Sequence, residues 1–236
     1  YQEKGYLSTK NIDLPRKVRY KKRKRKISKN KSERKEQNCR IGRTYEDFTK
    51  EVIDKNIDYY VEMDTVEGIK GHSVLLTLCI IPFNLLLAYK LEEQSIVQVT
   101  NSINKLKNEL GYLLFHQIFP YILTDNGKEF KRPDLIENNG QDVIQTKVFF
   151  CDARSSEQKG TIEVTHEYIR RFIPQGIDLD SYTQDDINLM INHINNTKRK
   201  KFDGKTPLEL FTQKFDEEAT KKLGLYYIAP NDIILK

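Results

Sequence analysis

Three acidic residues stand where acidic side chains are costly unless they are used. Asp64 interrupts the otherwise apolar, β-rich stretch Tyr59–Val66 (YYVEMDTV), and an unpaired carboxylate buried in a strand is expensive. Asp125 follows the short apolar run PYILT and opens the turn Asp125-Asn126-Gly127, at the strand end where α/β sheets present their ligand sites. Glu163, in QKGTIE, falls on the polar face of a helical pattern close to Gly160. Carboxylate oxygens are the hard donors that Mg2+ or Mn2+ takes. Three of them converging on one point repel each other, and a pair of dications relieves that repulsion. Two such ions about 4 Å apart activate an attacking oxygen and stabilise the leaving oxygen of a phosphodiester. No Gly-rich phosphate loop is present, which argues against nucleotide-triphosphate hydrolysis and a nucleotide cofactor.

Neighbouring residues offer alternatives. Glu62 points to the same side of its strand as Asp64 by period-two alternation, as a further ligand or a rim ion pair. Glu167 lies one turn beyond Glu163, at helical spacing from Arg170 and Arg171. Asp152 reads as a turn or cap residue. His166 reads either as a substrate contact or as a solvated histidine on the polar face.

The elements that must position these residues follow from periodicity. Tyr45–Lys55 reads as a short helix, Tyr59–Val66 as a strand, and Ser73–Ile81 and Asn84–Leu91 as a hairpin pair turning at Pro82-Phe83-Asn84. Gln94–Leu110 is an amphipathic helix ended by Gly111. Short strands are expected at Pro120–Thr124 and Lys147–Phe150. Ser156 can cap a helix over Glu157–Ile173, closed at Pro174. Further helices are expected over Thr183–Asn195 and from Thr206-Pro207 through PLELF. Three consecutive strands followed by β-α units give an α/β fold of ribonuclease-H type, a mixed sheet with helices on both faces. The division expected is a basic, partly disordered N-terminal arm (1–43), a catalytic core (44–215) and a C-terminal extension (216–236).

Composition narrows the partners. The 236 residues carry a net charge of +6, but residues 16–43 hold 15 Lys and Arg against two Glu. A local +13 leaves the remainder at −7, the pattern of a basic arm used on polyanions. Arg19, Lys21, Lys22, Arg23, Lys24, Arg25 and Lys26 are its densest run, and Lys198, Arg199 and Lys200, with Lys201, form a second cluster suited to a DNA backbone or to an exposed loop. The apolar stretch Ser73–Leu91 is broken by Pro82 and Asn84, so two buried strands explain it better than a membrane span. Cys39, Cys79 and Cys151 form no CxxC, and the four histidines form no paired spacing. That points to a reducing compartment and leaves zinc without a ligand set.

The strings VEMDTVEGIKG and ILTDNGKEF resemble the first- and second-aspartate motifs of the insertion-sequence-thirty family of bacterial transposases. VFFCDARSSEQKGTIEVTHEYIRRFIPQG is similar to that family's glutamate motif, and NHINNTKRKKFDGKTPLELF to its tail. The likeness runs from about Leu14 to near the C-terminus, with the strings in order. It departs from the family around the glutamate, at Ala153, Arg154, Glu157, Ile162, Val164 and His166. The resemblance implies that Asp64, Asp125 and Glu163 are a DDE triad on an integrase-type core, holding two Mg2+ or Mn2+ ions. It implies an enzyme that cuts element ends and joins the 3′ hydroxyl to target DNA, working as a homo-oligomer on DNA in the bacterial cytoplasm or nucleoid. Lys159 matches a basic position just before the glutamate and is an expected DNA contact. The family's N-terminal helix-turn-helix has no counterpart upstream of the arm, so a truncated portion is expected.

Overall fold

The site rests on β1 (Tyr60–Glu67), the middle strand of a five-stranded sheet. The structure, a computed structural model, describes residues 38–138, 143–153 and 155–229. β1 runs antiparallel to β2 (Val74–Ile81), which pairs antiparallel with β3 (Leu85–Leu91). The apolar stretch therefore folds back as a hairpin, with Asn84 at the turn in the left-handed region (φ 54°). On its other side β1 is parallel to β4 (Tyr121–Thr124), and β4 is parallel to β5 (Lys147–Phe150). The order across the sheet is β3-β2-β1-β4-β5. This is the expected mixed sheet, flanked by helices.

The helices are α1 (Tyr45–Phe48), continued by a wider turn over Thr49–Ile53, α2 (Ile96–Leu110), α3 (Tyr112–Ile118) and α4 (Pro133–Glu137). After β5 come α5 (Gly160–Phe172), α6 (Gln184–Asn195) and α7 (Pro207–Lys222). Local chemistry explains several of their ends. Ser95 accepts from the Gln98 N–H at the start of α2, and Gly111, at φ 77°, ends it. Thr183 with Asp186, and Thr206 with Glu209, form reciprocal capping boxes on α6 and α7, each satisfying donors the helix itself cannot. Val61, Met63, Leu78 and Ile122 are fully buried in one continuous apolar cluster with Val99, Ile103 and Leu106 of α2. On the other face of the sheet, Phe48 and Val52 pack with Leu123 and Phe149.

Four elements differ from the sequence reading. α3 and α4 were not expected; α4 has only five residues, and its terminal carbonyls are met from α2, where the buried Lys107 ammonium donates to Ile136 O and Asn138 O at 2.6 Å each. A cation at a helix C-terminus is the favourable arrangement. The helix expected from Glu157 starts instead with a 3-10 turn over Ser156–Lys159, and the α-helix begins at Gly160. The last helix runs on to Lys222 with a kink at Asp216 (φ 73°). Arg43, placed in the arm by composition, makes a two-pronged ion pair with the buried Glu137 at 2.8 and 2.6 Å, and its carbonyl accepts from Phe150 N–H. The run Arg19–Lys26 lies outside the described residues, as does Arg154.

Candidate active site

Strand register brings the two aspartates together. The parallel ladder between β1 and β4 ends at the pair Met63–Thr124, fastened by a Thr124 Oγ1 bond to Met63 O at 3.1 Å. The next residue on each strand is Asp64 and Asp125. Adjacent strands lie about 4.8 Å apart, so residues 61 positions apart in sequence become lateral neighbours. The turn after Asp125 is held from three sides. Gly127 N–H donates to Asp125 Oδ1 at 2.9 Å, Asn126 Nδ2 donates to Cys151 O at 2.7 Å, and the buried Glu129 carboxylate lies against Gly127. A Cβ on Gly127 would sit 2.6 Å from Glu129 Oε2, which explains the glycine. Glu129 in turn accepts from Thr65 Oγ1 at 3.0 Å and Gln94 Nε2 at 2.6 Å, tying the turn to β1 and to the approach of α2.

Glu163 is carried by α5, which docks across β1 and β2 through polar contacts. The N-cap position, Lys159, supplies no side-chain cap. Glu62 of β1 does so instead: its Oε2 accepts from Ile162 N–H at 2.6 Å, placing an anion at the positive end of the helix. This differs from both roles weighed for Glu62 in the sequence. Thr165 Oγ1 lies 3.7 Å from Cys79 Sγ, and His166 Nε2 lies 2.8 Å from Thr77 Oγ1. His166 is thus half-buried and bonded to β2, and it is not among the residues lining the cleft described below. Glu163, next to the capped residue, is exposed.

Electrostatics link the three carboxylates. Burial raises the Asp125 pKa, and the negative charge of Asp64 raises it further. Burial and then Asp64 likewise raise Glu163. Burial pushes Glu62 up to about 7. Lys159 works against all of these shifts. Its side chain is only 5% exposed, with Nζ 3.0 Å from Asp64 Oδ2 and 3.4 Å from Met63 O. The expected DNA contact is therefore an interior cation here. The three carboxylates do not bring their oxygens within 4.8 Å of one another; among the described residues His72, Asp178 and Asp180 do. That cluster is about half exposed and hydrogen-bonded within itself, His72 Nδ1 lying 2.9 Å from Asp180 and 3.3 Å from Asp178, and it pins the β1–β2 turn to the 178–181 turn.

A cleft of about 480 Å3 opens over the strand ends, lined by Asp64, Asp125, Gly127, Glu129 and Gln94, with Lys70 and Arg170 also on its wall. Glu163 is not part of this lining. Glu129 and Gln94 were missed by the sequence reading, although Glu129 stands four residues after Asp125 in the same motif. Lys70 and Arg170 had no signal beyond their charge. Of the second basic cluster, Lys198 and Lys200 are exposed. Arg199 is packed, its guanidinium 3.8 Å over the Tyr168 ring and donating to Ile194 O at 2.9 Å, and burial lowers its pKa.

The strand order, the mixed pairing, and the carboxylates on β1 and just after β4 define a ribonuclease-H-like fold of the integrase-core class. A chain of the simian T-cell lymphotropic virus intasome complex with a PP2A regulatory subunit superposes with a TM-score of 0.50 at 13% identity, over 65% of this chain and 54% of that one. The catalytic core domain of BIV integrase aligns over 66% of this chain and 95% of its own, with a TM-score of 0.48 and 21% identity. By sequence, the chain is a relative of the IS30-type insertion-sequence transposases. It is 30% identical over 157 residues to the transposase for insertion sequence element IS4351 of Bacteroides fragilis, covering 65% of this chain and 44% of that protein. It is 31% identical over 207 residues to a protein ascribed to the insertion-like sequence element IS1161 of Streptococcus salivarius, covering 85% of this chain and 53% of that one. It is 42% identical over 64 residues to the transposase InsI of insertion sequence element IS30A of Escherichia coli, covering 27% of this chain and 17% of that protein. The chain spans about half the length of the first two relatives. No protein-family model matches it. Among the described residues, no helix is long and apolar enough to cross a membrane.

Proposed function

We propose that this chain is the catalytic core of an insertion-element transposase, with Asp64, Asp125 and Glu163 as the ligands of two Mg2+ or Mn2+ ions. The observation that carries the reading is the register of β1 and β4, which sets Asp64 of β1 beside Asp125 where β4 ends. The helix bearing Glu163 is fastened to the same strand by Glu62. The donor set fits hard dications: all its atoms are carboxylate oxygens. Three carboxyl groups face one lysine, and burial and like charge raise the pKa of both Asp125 and Glu163. When bound, the ions would activate an attacking oxygen and stabilise a leaving one at phosphorus.

The protein's own part is to position. The Asn126-Gly127 turn, backed by Glu129, fixes Asp125. The Glu62 cap fixes the first turn of α5 and with it Glu163. Lys70 and Arg170 on the cleft wall supply positive charge for a phosphate backbone, and the basic arm supplies sequence-blind affinity. We place the core from the docked residues before Arg43 to α7, with the arm before it and a short extension after it. DNA ends, target DNA and a second copy of the chain are the partners this reading requires.

The test is a strand-transfer reaction with Mn2+ on a pre-cut duplex carrying the terminal repeat that flanks the gene. Joined product is expected with the wild type and at least about 100-fold less with Asp125→Asn, the usual scale for losing a group that stabilises developing charge. Cleavage without joining would make the chain a nuclease on the same fold. Equal heats of Mn2+ binding for wild type and Asp125→Asn would remove the metal site and leave a DNA-binding remnant.

A further inference from the structure

Asp64 is already paired with a cation from the protein itself. Lys159 lies four residues before Glu163, at the point where the 3-10 turn enters α5. Its ammonium is buried, 3.0 Å from Asp64 Oδ2 and 3.4 Å from the Met63 carbonyl. Its positive charge reaches Glu62, Asp125 and Glu163. One ammonium thus serves the whole carboxylate cluster. We propose that Lys159 is the resident counter-ion of this cluster, and that a divalent cation has to displace it from Asp64 in order to bind. The proposal rests on the metal-site reading above and adds a competition at that site.

The physical argument is one of space and charge. A divalent cation held by Asp64 would lie about 2.0–2.6 Å from a carboxylate oxygen, and the ammonium stands 3.0 Å from the same carboxylate. Two cations at that range, beside a carboxylate only 20% exposed, repel by more than they do in bulk water. Lys159 has four methylenes on which to swing, and the cleft beside Asp64 is open to solvent. A passive salt bridge would be indifferent to metal. A counter-ion is not, because each cation weakens the other's hold by the same factor. Lys159 would then be free for a DNA phosphate only in the metal-loaded protein, which reconciles a buried lysine with the DNA contact expected from the sequence.

The experiment is calorimetric titration of Mn2+ into the full chain, without DNA, for wild type, Lys159→Met, Lys159→Gln, Lys159→Arg and Asp125→Asn, each checked for folding by circular dichroism. Lys159→Met and Lys159→Gln are expected to bind Mn2+ about tenfold more tightly than wild type, within the usual range for coupled equilibria, and Lys159→Arg to stay at the wild-type value. Wild-type affinity, or weaker, in a folded Met or Gln variant would overturn the counter-ion role. If Asp125→Asn still lost binding in that case, the metal-site reading would survive its failure. No Mn2+ binding by any variant would overturn both.

Discussion

His166 shows how much one side chain in this site is constrained. Thr77 has a single hydroxyl proton, and the structure directs it to the Asp64 carbonyl at 3.1 Å. The approach of Thr77 Oγ1 and His166 Nε2 to 2.8 Å therefore requires the proton on Nε2, with the imidazole donating. This chain of two hydrogen bonds links α5 to the backbone of Asp64. Burial lowers the His166 pKa to about 4, well below that of an unfolded histidine, near 6.5. Below about pH 6.5 the unfolded chain binds a proton that the folded chain refuses, so this histidine's contribution is present above that pH and is lost as pH falls towards 4. The loss approaches about 1.4 kcal/mol per pH unit across that window. Urea midpoints at pH 7, 5.5 and 4.5 check it: wild type should lose stability more steeply than His166→Gln, which keeps a donor but cannot titrate. Equal slopes would mean that His166 is protonated in the fold.

Among the elements, β3 is the edge strand that needs explaining, because an open strand edge invites pairing with another chain. Here α6 closes it with side-chain amides. Asn195 accepts from Leu86 N–H at 2.9 Å and donates to Leu86 O at 2.7 Å. Gln184 accepts from Lys90 N–H at 2.8 Å and donates to Ala88 O at 3.0 Å. Replacing Asn195 by Leu leaves two buried backbone groups unmet and should cost on the order of 2–4 kcal/mol, read from urea unfolding, with a greater tendency to aggregate. A loss below about 0.5 kcal/mol would show that water or a backbone shift satisfies the strand instead. The strands themselves were legible, since a β-rich run bounded by turn residues reads the same in a sequence as in a sheet. So was the setting of the two aspartates, because Asp64 interrupts an apolar strand and Asp125 follows one. The fastenings were not. Asn195 meets a residue 109 positions away, Glu62 caps a helix 100 positions away, and Lys107 caps α4 from α2. Nothing in local periodicity marks those partners, which is also why the start of α5 and the whole of α4 were misread: their ends are set by side chains from other elements.

At the scale of the whole molecule, charge is divided against itself. Residues 16–36 hold 13 Lys and Arg against two Glu, and with +6 over the full chain that +11 leaves −5 for everything else. The cleft is acidic at its floor, with Asp64, Asp125 and Glu129 in its lining, so the core on its own repels the polyanion it is proposed to cut. In the proposed function the arm offsets that repulsion, and an arm acting through released counterions would make the effect depend on salt. Deleting residues 16–36, which leaves the Arg43–Glu137 pair in place, should flatten the slope of log affinity for duplex DNA against log salt, by about 0.9 for each phosphate that the arm neutralises. Mn2+ binding by the same variant should stay at the wild-type value, since no described ligand or cap of the site lies in the deleted segment. An unchanged salt slope would transfer DNA binding to the core, to Lys70, Arg170, Lys198 and Lys200, and the division of labour between arm and cleft would fall with it.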